Sequence, residues 1–312
     1  MTGSRVLAAG HYQPAKVLTN NDIAKIVDTS DEWIQSRVGI KTRHIADPTE
    51  TVDFMAAKAA EHALSGSGLT PADIDLVITA TTTAIDRSPN VAARVADTLG
   101  LGSPATIDVN VACSGFCHAL ATADHAIRAG AARNAIVIGA ERLTDFTDWT
   151  DRTTCVLTAD GAGAVVITAA DKPAISPVVW GSVPSLGSAV RIEGNPGTFA
   201  QEGQAVFRWA TQSLPGIARE VCNRAGITPE DLGAVVFHQA NLRIIEPLAR
   251  KLGAVNAVIA QDVVTSGNTS AASVPLALSK LAADKAVPSG TPTLLFGFGG
   301  GLAYAGQVIE FP

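Results

Sequence analysis

Apolar positions along the chain follow two periods. Runs of β-branched and small apolar residues between turn residues predict strands over 74–80, 105–111, 134–140, 163–169, 233–238, 257–264, 293–297 and 303–310. Helical spacing of apolar positions predicts helices over 51–65, 90–99, 114–130, 205–225, 241–252 and 270–284. This alternation predicts an α/β fold with sheets covered by helices.

The pattern also repeats. Residues 68–78 read GLTPADIDLVI and residues 226–236 read GITPEDLGAVV, an offset of 158 that is close to half the chain. Both pass from a Thr-Pro-x-Asp/Glu helix start into a β-branched strand. Leu99-Gly100 is echoed by Leu252-Gly253, and the run Gly161 to Ile167 by Gly299 to Ile309. Three echoes in one order predict a duplicated fold. Its halves, 1–171 and 172–312, join near the Pro/Ser-containing segment 172–190 and pack their central helices together.

Composition narrows the class. Of the 312 residues 47% are hydrophobic and only 17% charged, against a usual ~25% charged, which excludes a disordered chain and implies a large interior or a buried partner surface. A net charge of −6, from 23 Lys+Arg and 29 Asp+Glu, argues against a general nucleic-acid binder. No apolar run approaches the ~18 residues of a membrane span, and the first ten residues lack the features of a secretory signal. Four cysteines do not make a disulfide framework. The expectation is a cytoplasmic protein with reduced thiols.

Candidate chemistry begins at Cys113, where a strand runs into a helix. A helix N-terminus lowers a thiol's pKa and makes it a nucleophile; the competing reading is a buried, inert cysteine. Cys117 and His118 lack a second ligand pair, so packing is expected there and no metal site. His238 ends a strand and reads as structural or catalytic. Asn268 reads as a turn, a helix cap or, with Thr269-Ser270, a glycosylation sequon. Phe296-Gly297-Phe298-Gly299-Gly300-Gly301 fails the dinucleotide spacing and reads as glycines that let backbone N–H groups approach a substrate.

Taken together, these segments resemble β-ketoacyl-[acyl carrier protein] synthase III. The resemblance runs from Asp31-Glu32-Trp33-Ile34, Arg37, Gly39-Ile40 and Arg43 through Cys113-Ser-Gly-Phe, Thr150-Asp151-Arg152 and Asp160-Gly-Ala-Gly-Ala164. It continues through His238-Gln-Ala-Asn-Leu-Arg243 and Gly267-Asn268-Thr-Ser-Ala-Ala to Phe298-Gly-Gly-Gly301. It implies the thiolase fold, five αβαβα layers from two similar halves, in a homodimer.

The implied reaction loads an acyl group from acyl-CoA onto Cys113 and condenses it with malonyl-acyl carrier protein, releasing CO₂. A thiol exchanges with a thioester at little cost. The enolate left by decarboxylation needs neutral donors, which His238 with Nε2–H outward and the Asn268 amide supply. Backbone N–H groups of Cys113 and Gly300 form the acyl oxyanion hole. No metal or redox cofactor is required, since CO₂ loss generates the carbanion and the CoA thioester is a substrate. An Asp at position 268 would favour acyl transfer to an alcohol or amine; Asn favours carbon–carbon bond formation.

The resemblance also assigns binding residues. Trp33 and Arg37 share one face of a short helix whose start is signalled by Thr29-x-x-Glu32, and the adenine of CoA is implied between Trp33 and Arg152. Asn241 is implied on the pantetheine, with Gly203 and Phe207 lining the channel. Docking of an acidic carrier protein is implied at Arg208, at Gln239, Ala240, Asn241, Leu242 and Arg243, and at Arg250 and Lys251. Ser88 stands where the family often has a Phe that enters the partner subunit's acyl pocket, and Leu157-Thr158-Ala159-Asp160 stands where Phe-Gly-Asp is common. Two other readings stay open: an acyltransferase or polyketide starter enzyme of the same fold, and a non-catalytic subunit, which would be expected to lose Cys113 or His238.

Overall fold

The repeated Thr-Pro turn forms twice. The Asp73 carboxylate accepts from the Thr70 N–H and hydroxyl, and Asp231 does the same for Thr228. Each turn hands the chain to a buried strand, β4 (Leu76–Ala80) or β11 (Ala234–Phe237). The computed structural model describes residues 3–194 and 197–312.

Each of those strands sits in a five-stranded sheet. In the first, β1 (Gly3–Tyr12), β7 (Asp160–Ala170), β6 (Asn134–Arg142), β4 and β5 (Ala105–Val109) lie in that order. In the second, β8 (Val179–Ser182), β14 (Ala303–Glu310), β13 (Pro292–Gly299), β11 and β12 (Val258–Ile259) repeat it. The senses of pairing match too: β4 is parallel to β5 and β6 as β11 is to β12 and β13, while the remaining neighbours are antiparallel.

Three apolar clusters separate five layers. Helices α3 (Val52–Ser67) and α4 (Val91–Thr98) cover the outer face of the first sheet. Helices α6 (Gly203–Gln212), α7 (Leu214–Arg224) and α8 (Leu242–Leu252) cover that of the second. Between the sheets lie α5 (Gly115–Arg128) and α10 (Ser273–Ala283), in a cluster that includes Phe116, Leu120, Val274 and Leu278. Small residues let these layers close up: a Cβ on Gly139 of β6 would collide with the Ala271 carbonyl just before α10.

Smaller elements frame the site. A ribbon of β2 (Val17–Thr19) and β3 (Thr42–His44) flanks α1 (Asn20–Ile23) and α2 (Asp31–Val38). A hairpin of β9 (Val190–Gly194) and β10 (Gly197–Gln201) precedes α6.

Four sequence expectations are corrected. The 205–225 helix is two, because Pro215 has no N–H to continue the ladder across Ser213. The 257–264 strand is only Val258–Ile259; Val263–Ser266 is instead the helical turn α9, started where Gln239 Oε1 accepts the Val263 N–H. Helix α2 is capped by Ser30, whose hydroxyl accepts the Trp33 N–H at 3.1 Å, and not by Thr29. Strand β1 carries no predicted element, since Ala8-Ala9-Gly10 gives no β-branched signal.

Candidate active site

Cys113 sits in a single 3-10 turn, Ala112–Ser114, that delivers the chain into α5. Ala112 has φ +44°, the left-handed region that a non-glycine residue rarely adopts. The Cys113 side chain packs against Gly299, where a Cβ would stand 2.8 Å from the sulfur. Cys113 as a residue is 8% exposed. Burial pushes its thiol up to about 11, and the Glu141 carboxylate adds to that; the Ser270 hydroxyl and the Gly300 N–H pull it the other way. The direction is opposite to the lowering expected from the helix start, and its largest cause is desolvation.

His238 follows β11 with its N–H on the Phe296 carbonyl. Its Nδ1 lies 2.7 Å from Ser273 Oγ, which also accepts the Gln239 N–H. Burial lowers the imidazole to about 3, so the ring is neutral near pH 7. The Phe298 ring meets it edge-on, centroids 5.5 Å apart.

Asn268 is held by its backbone to Leu157 and Ala159. Its Oδ1 accepts the Ser270 N–H at 2.9 Å, which leaves the amide Nδ2–H₂ free to donate. Of the three readings, the turn is the one observed: α10 begins only at Ser273, beyond Asn268's reach as a cap. Ahead of it, Ser270 has φ +47°.

Two cavities meet at Asn268. One, of about 460 Å³, is lined by Cys113, Thr82, Asn268, Ser270 and Gly300 and closed by Leu143, Val190, Ile192 and Phe199. The other, of about 670 Å³, runs out past Val156 and Leu157 to Trp33, Arg37, Gly203, Phe207, Asn241 and Arg243. Asn268 thus stands between the cavity beside the sulfur and the one that reaches Trp33 and Arg37.

At the outer end, the Arg152 guanidinium lies 4.9 Å from the Trp33 ring centroid, with Arg37 at 5.7 Å. These are direct cation–π distances, so a flat base enters only by swinging Arg152 off the ring. Asn241 caps α8, its Oδ1 accepting the Arg243 N–H at 2.9 Å.

Of the docking residues, Arg208, Arg243, Arg250 and Lys251 are exposed. The Lys251 ammonium is tied to the Thr211 carbonyl at 2.7 Å. Gln239 is a correction: it is fully buried, donating to the Phe237 and Ala260 carbonyls, and offers nothing to a docking partner. Ser88 is exposed on its loop and lines neither cavity of its own chain.

Sequence reasoning missed Ser273, Ser270 and Glu141. Glu141, at the end of β6, is fully buried and accepts from Thr83 Oγ1 at 2.6 Å and from Ser270 Oγ at 3.0 Å. A charged residue closing an apolar strand was the one available signal.

A buried thiol and an amide N–H₂ line one cavity, a neutral imidazole is buried just past β11, and the duplicated five-layer fold around them is that of a thiolase-fold condensing enzyme. A model described as 3-oxoacyl-[acyl-carrier-protein] synthase III matches residues 107–184, and its C-terminal companion matches 222–311. The chain is 67% identical to β-ketoacyl-[acyl-carrier-protein] synthase III 2 of Streptomyces avermitilis over 100% of both chains. It is 66% identical to synthase III 4 of Streptomyces coelicolor over 99% of each. Among solved structures, a priming β-ketosynthase of a polyketide biosynthetic pathway aligns with a TM-score of 0.97 at 40% identity, covering 99% of this chain and 96% of the other. The Aquifex aeolicus 3-oxoacyl-[acyl-carrier-protein] synthase III aligns at 0.94 and 41%, covering 99% and 100%. The chain belongs to the β-ketoacyl-[acyl carrier protein] synthase III family, acyltransferases whose condensation primes fatty-acid or polyketide synthesis. Among the described residues no helix is long and apolar enough to cross a membrane.

Proposed function

We propose that Cys113, His238 and Asn268 carry the two half-reactions. The observation that carries this is the position of Asn268, lining both cavities with its oxygen occupied and its N–H₂ free. In loading, the acyl-CoA carbonyl carbon bonds to the Cys113 sulfur, its oxygen held by the Cys113 and Gly300 N–H groups, and CoA leaves as its thiolate. In condensation, malonyl thioester loses CO₂. The enolate oxygen takes donors from Asn268 Nδ2 and His238 Nε2. Ser273, accepting from the Gln239 N–H, donates its own proton to His238 Nδ1 and so keeps the other proton on Nε2. The enolate carbon then attacks the acyl-enzyme. Nothing in this scheme calls for a metal or redox cofactor.

The finer assignments are proposals of the same reading. CoA enters past Trp33, Arg37 and Arg152, with Gly203, Phe207 and Asn241 along the channel. Malonyl-acyl carrier protein docks on Arg208, Arg243, Arg250 and Lys251, with Ala240, Asn241 and Leu242 beside them. A homodimer is supported by β5, an edge strand with Ile107 40% exposed. The protein works in the cytoplasm, which its four free cysteines favour. The roughly 460 Å³ cavity beside Cys113 favours a primer larger than acetyl.

Mixing the protein with an acyl-CoA and malonyl-carrier protein tests the reading. A 3-oxoacyl-carrier product two carbons longer than the primer, with one CO₂ released, is expected. An acylated alcohol or amine without CO₂ would replace it with the acyl-transfer reading.

A further inference from the structure

Glu141 is a buried carboxylate that the condensation chemistry leaves unexplained. None of the ion pairs found among the described residues includes it. Its oxygens are held by neutral donors: the hydroxyls of Thr81, Thr82 and Thr83 and the Thr82 N–H from the end of β4, and Ser270 Oγ and the Ala271 N–H from the turn before α10. Burial raises it above the ordinary glutamate value, against the hydrogen bonds that lower it.

Ser270 connects this carboxylate to the nucleophile. Its hydroxyl donates to Glu141 Oε1 at 3.0 Å, and Ser270 lines the same cavity wall as Cys113. The contact depends on close packing, since Gly139, two residues before Glu141 on β6, has no Cβ to hold the turn away. His238 is placed differently, with Nδ1 on Ser273. The other charged groups near the end of β6 are engaged elsewhere: Arg142 with Asp145, and Asp160 with the Thr144 and Ala46 N–H groups. Cys113 is the titratable group that Glu141 faces through Ser270.

We propose that Glu141 takes the Cys113 proton through Ser270 during loading, stores it in the acyl-enzyme, and returns it when condensation frees the sulfur. The inference rests on the reading of Cys113 as the acyl acceptor. The balance closes. In loading, the S–H proton passes to Ser270 Oγ as the Ser270 proton passes to Glu141 Oε1. The sulfur–acyl bond forms, the acyl–CoA bond breaks, and CoA thiolate takes a proton from solvent. In condensation, the new carbon–carbon bond expels Cys113 as thiolate, and the stored proton returns along the same path. Overall one solvent proton is consumed, and the proposal places that uptake in the loading half-reaction.

A weakly buffered, indicator-monitored single turnover with acyl-CoA alone reads this directly. Wild type takes up about one proton per Cys113 acylated. Ser270→Gly removes the hydroxyl while glycine accepts the φ of +47°. This variant and Glu141→Gln are expected to load about 10²-fold more slowly at pH 7, the lower scale of general-base assistance. Both should regain rate as pH rises toward the thiol's own range. Malonyl decarboxylation, measured with each change in a Cys113→Ala background, should stay within about twofold. If Glu141→Gln does not fold, Ser270→Gly decides alone. No proton uptake on wild-type loading would overturn the proposal. So would a Ser270→Gly rate and pH profile equal to wild type, or equal losses of loading and decarboxylation, which mark a scaffold role. Failure of wild type to acylate at all would sink the underlying enzyme reading instead.

Discussion

The two halves of the molecule place the same strained turn at the same point and use it differently. Ala112 at φ +44° and Ser270 at φ +47° each open a 3-10 turn that runs into a central helix, α5 or α10. They are 158 residues apart, the offset of the Thr-Pro repeat. In the first half the next residue is Cys113; in the second it is Ala271, and the chemistry has moved to the flanks, Asn268 before the turn and Ser273 after it. Duplication thus supplied two turns that face one another: a Cβ on Gly115 would come 3.5 Å from Ala271 Cβ. In the proposed reaction one turn carries the covalent step, and its copy carries hydrogen-bond donors for developing charge.

That division is broken most readily at the second half's donors. His238→Ala and Asn268→Ala should each still accept an acyl group on Cys113 but lose malonyl decarboxylation by ~10² or more, the scale of a lost oxyanion donor. Carboxyl-labelled malonyl thioester measures one step and protein mass the other; equal losses would erase the division. The pH profile sharpens it. Because burial lowers His238 to about 3, wild-type decarboxylation should not titrate near the ordinary ~6.5 of histidine. Its neutral donor is lost only as pH falls toward that lower value, and an acid limb centred near 6.5 would place a solvated imidazole there.

A smaller effect concerns the primer. Ser88→Phe should shift preference toward acetyl-CoA about tenfold, the value of two methylenes at roughly 0.8 kcal/mol each. Ratios of kcat/KM for acetyl- and isobutyryl-CoA check this, and an acetyl-selective wild type would contradict it. Smaller still, Arg250→Glu lies off the CoA channel. It should raise KM for the carrier-protein substrate about threefold to tenfold, with acyl loading unchanged and the defect shrinking in salt. A salt-independent defect would point to misfolding.

Much of this was legible in the sequence where signals are local. The Thr-Pro turns, the strands β4 and β11 and the motifs around Cys113, His238 and Asn268 are each written in a few consecutive residues. What escaped depends on distance or burial. Ser270 meets Glu141 across 129 residues of chain, and nothing near either residue announces the pairing. A helix start beside Cys113 is visible in sequence, whereas the burial that pushes its thiol up is not. Gln239 read as a docking residue from its motif, yet just past β11 its side chain is buried on the Phe237 and Ala260 carbonyls.

The central claim is that Cys113 alone holds the acyl group. Intact-protein mass spectrometry of wild type and Cys113→Ala after mixing with acetyl-, butyryl- and isobutyryl-CoA tests it most directly. The account predicts one acyl adduct per chain on wild type, mapped to the peptide containing Cys113, and none on Cys113→Ala. A stable adduct on Cys113→Ala would contradict it.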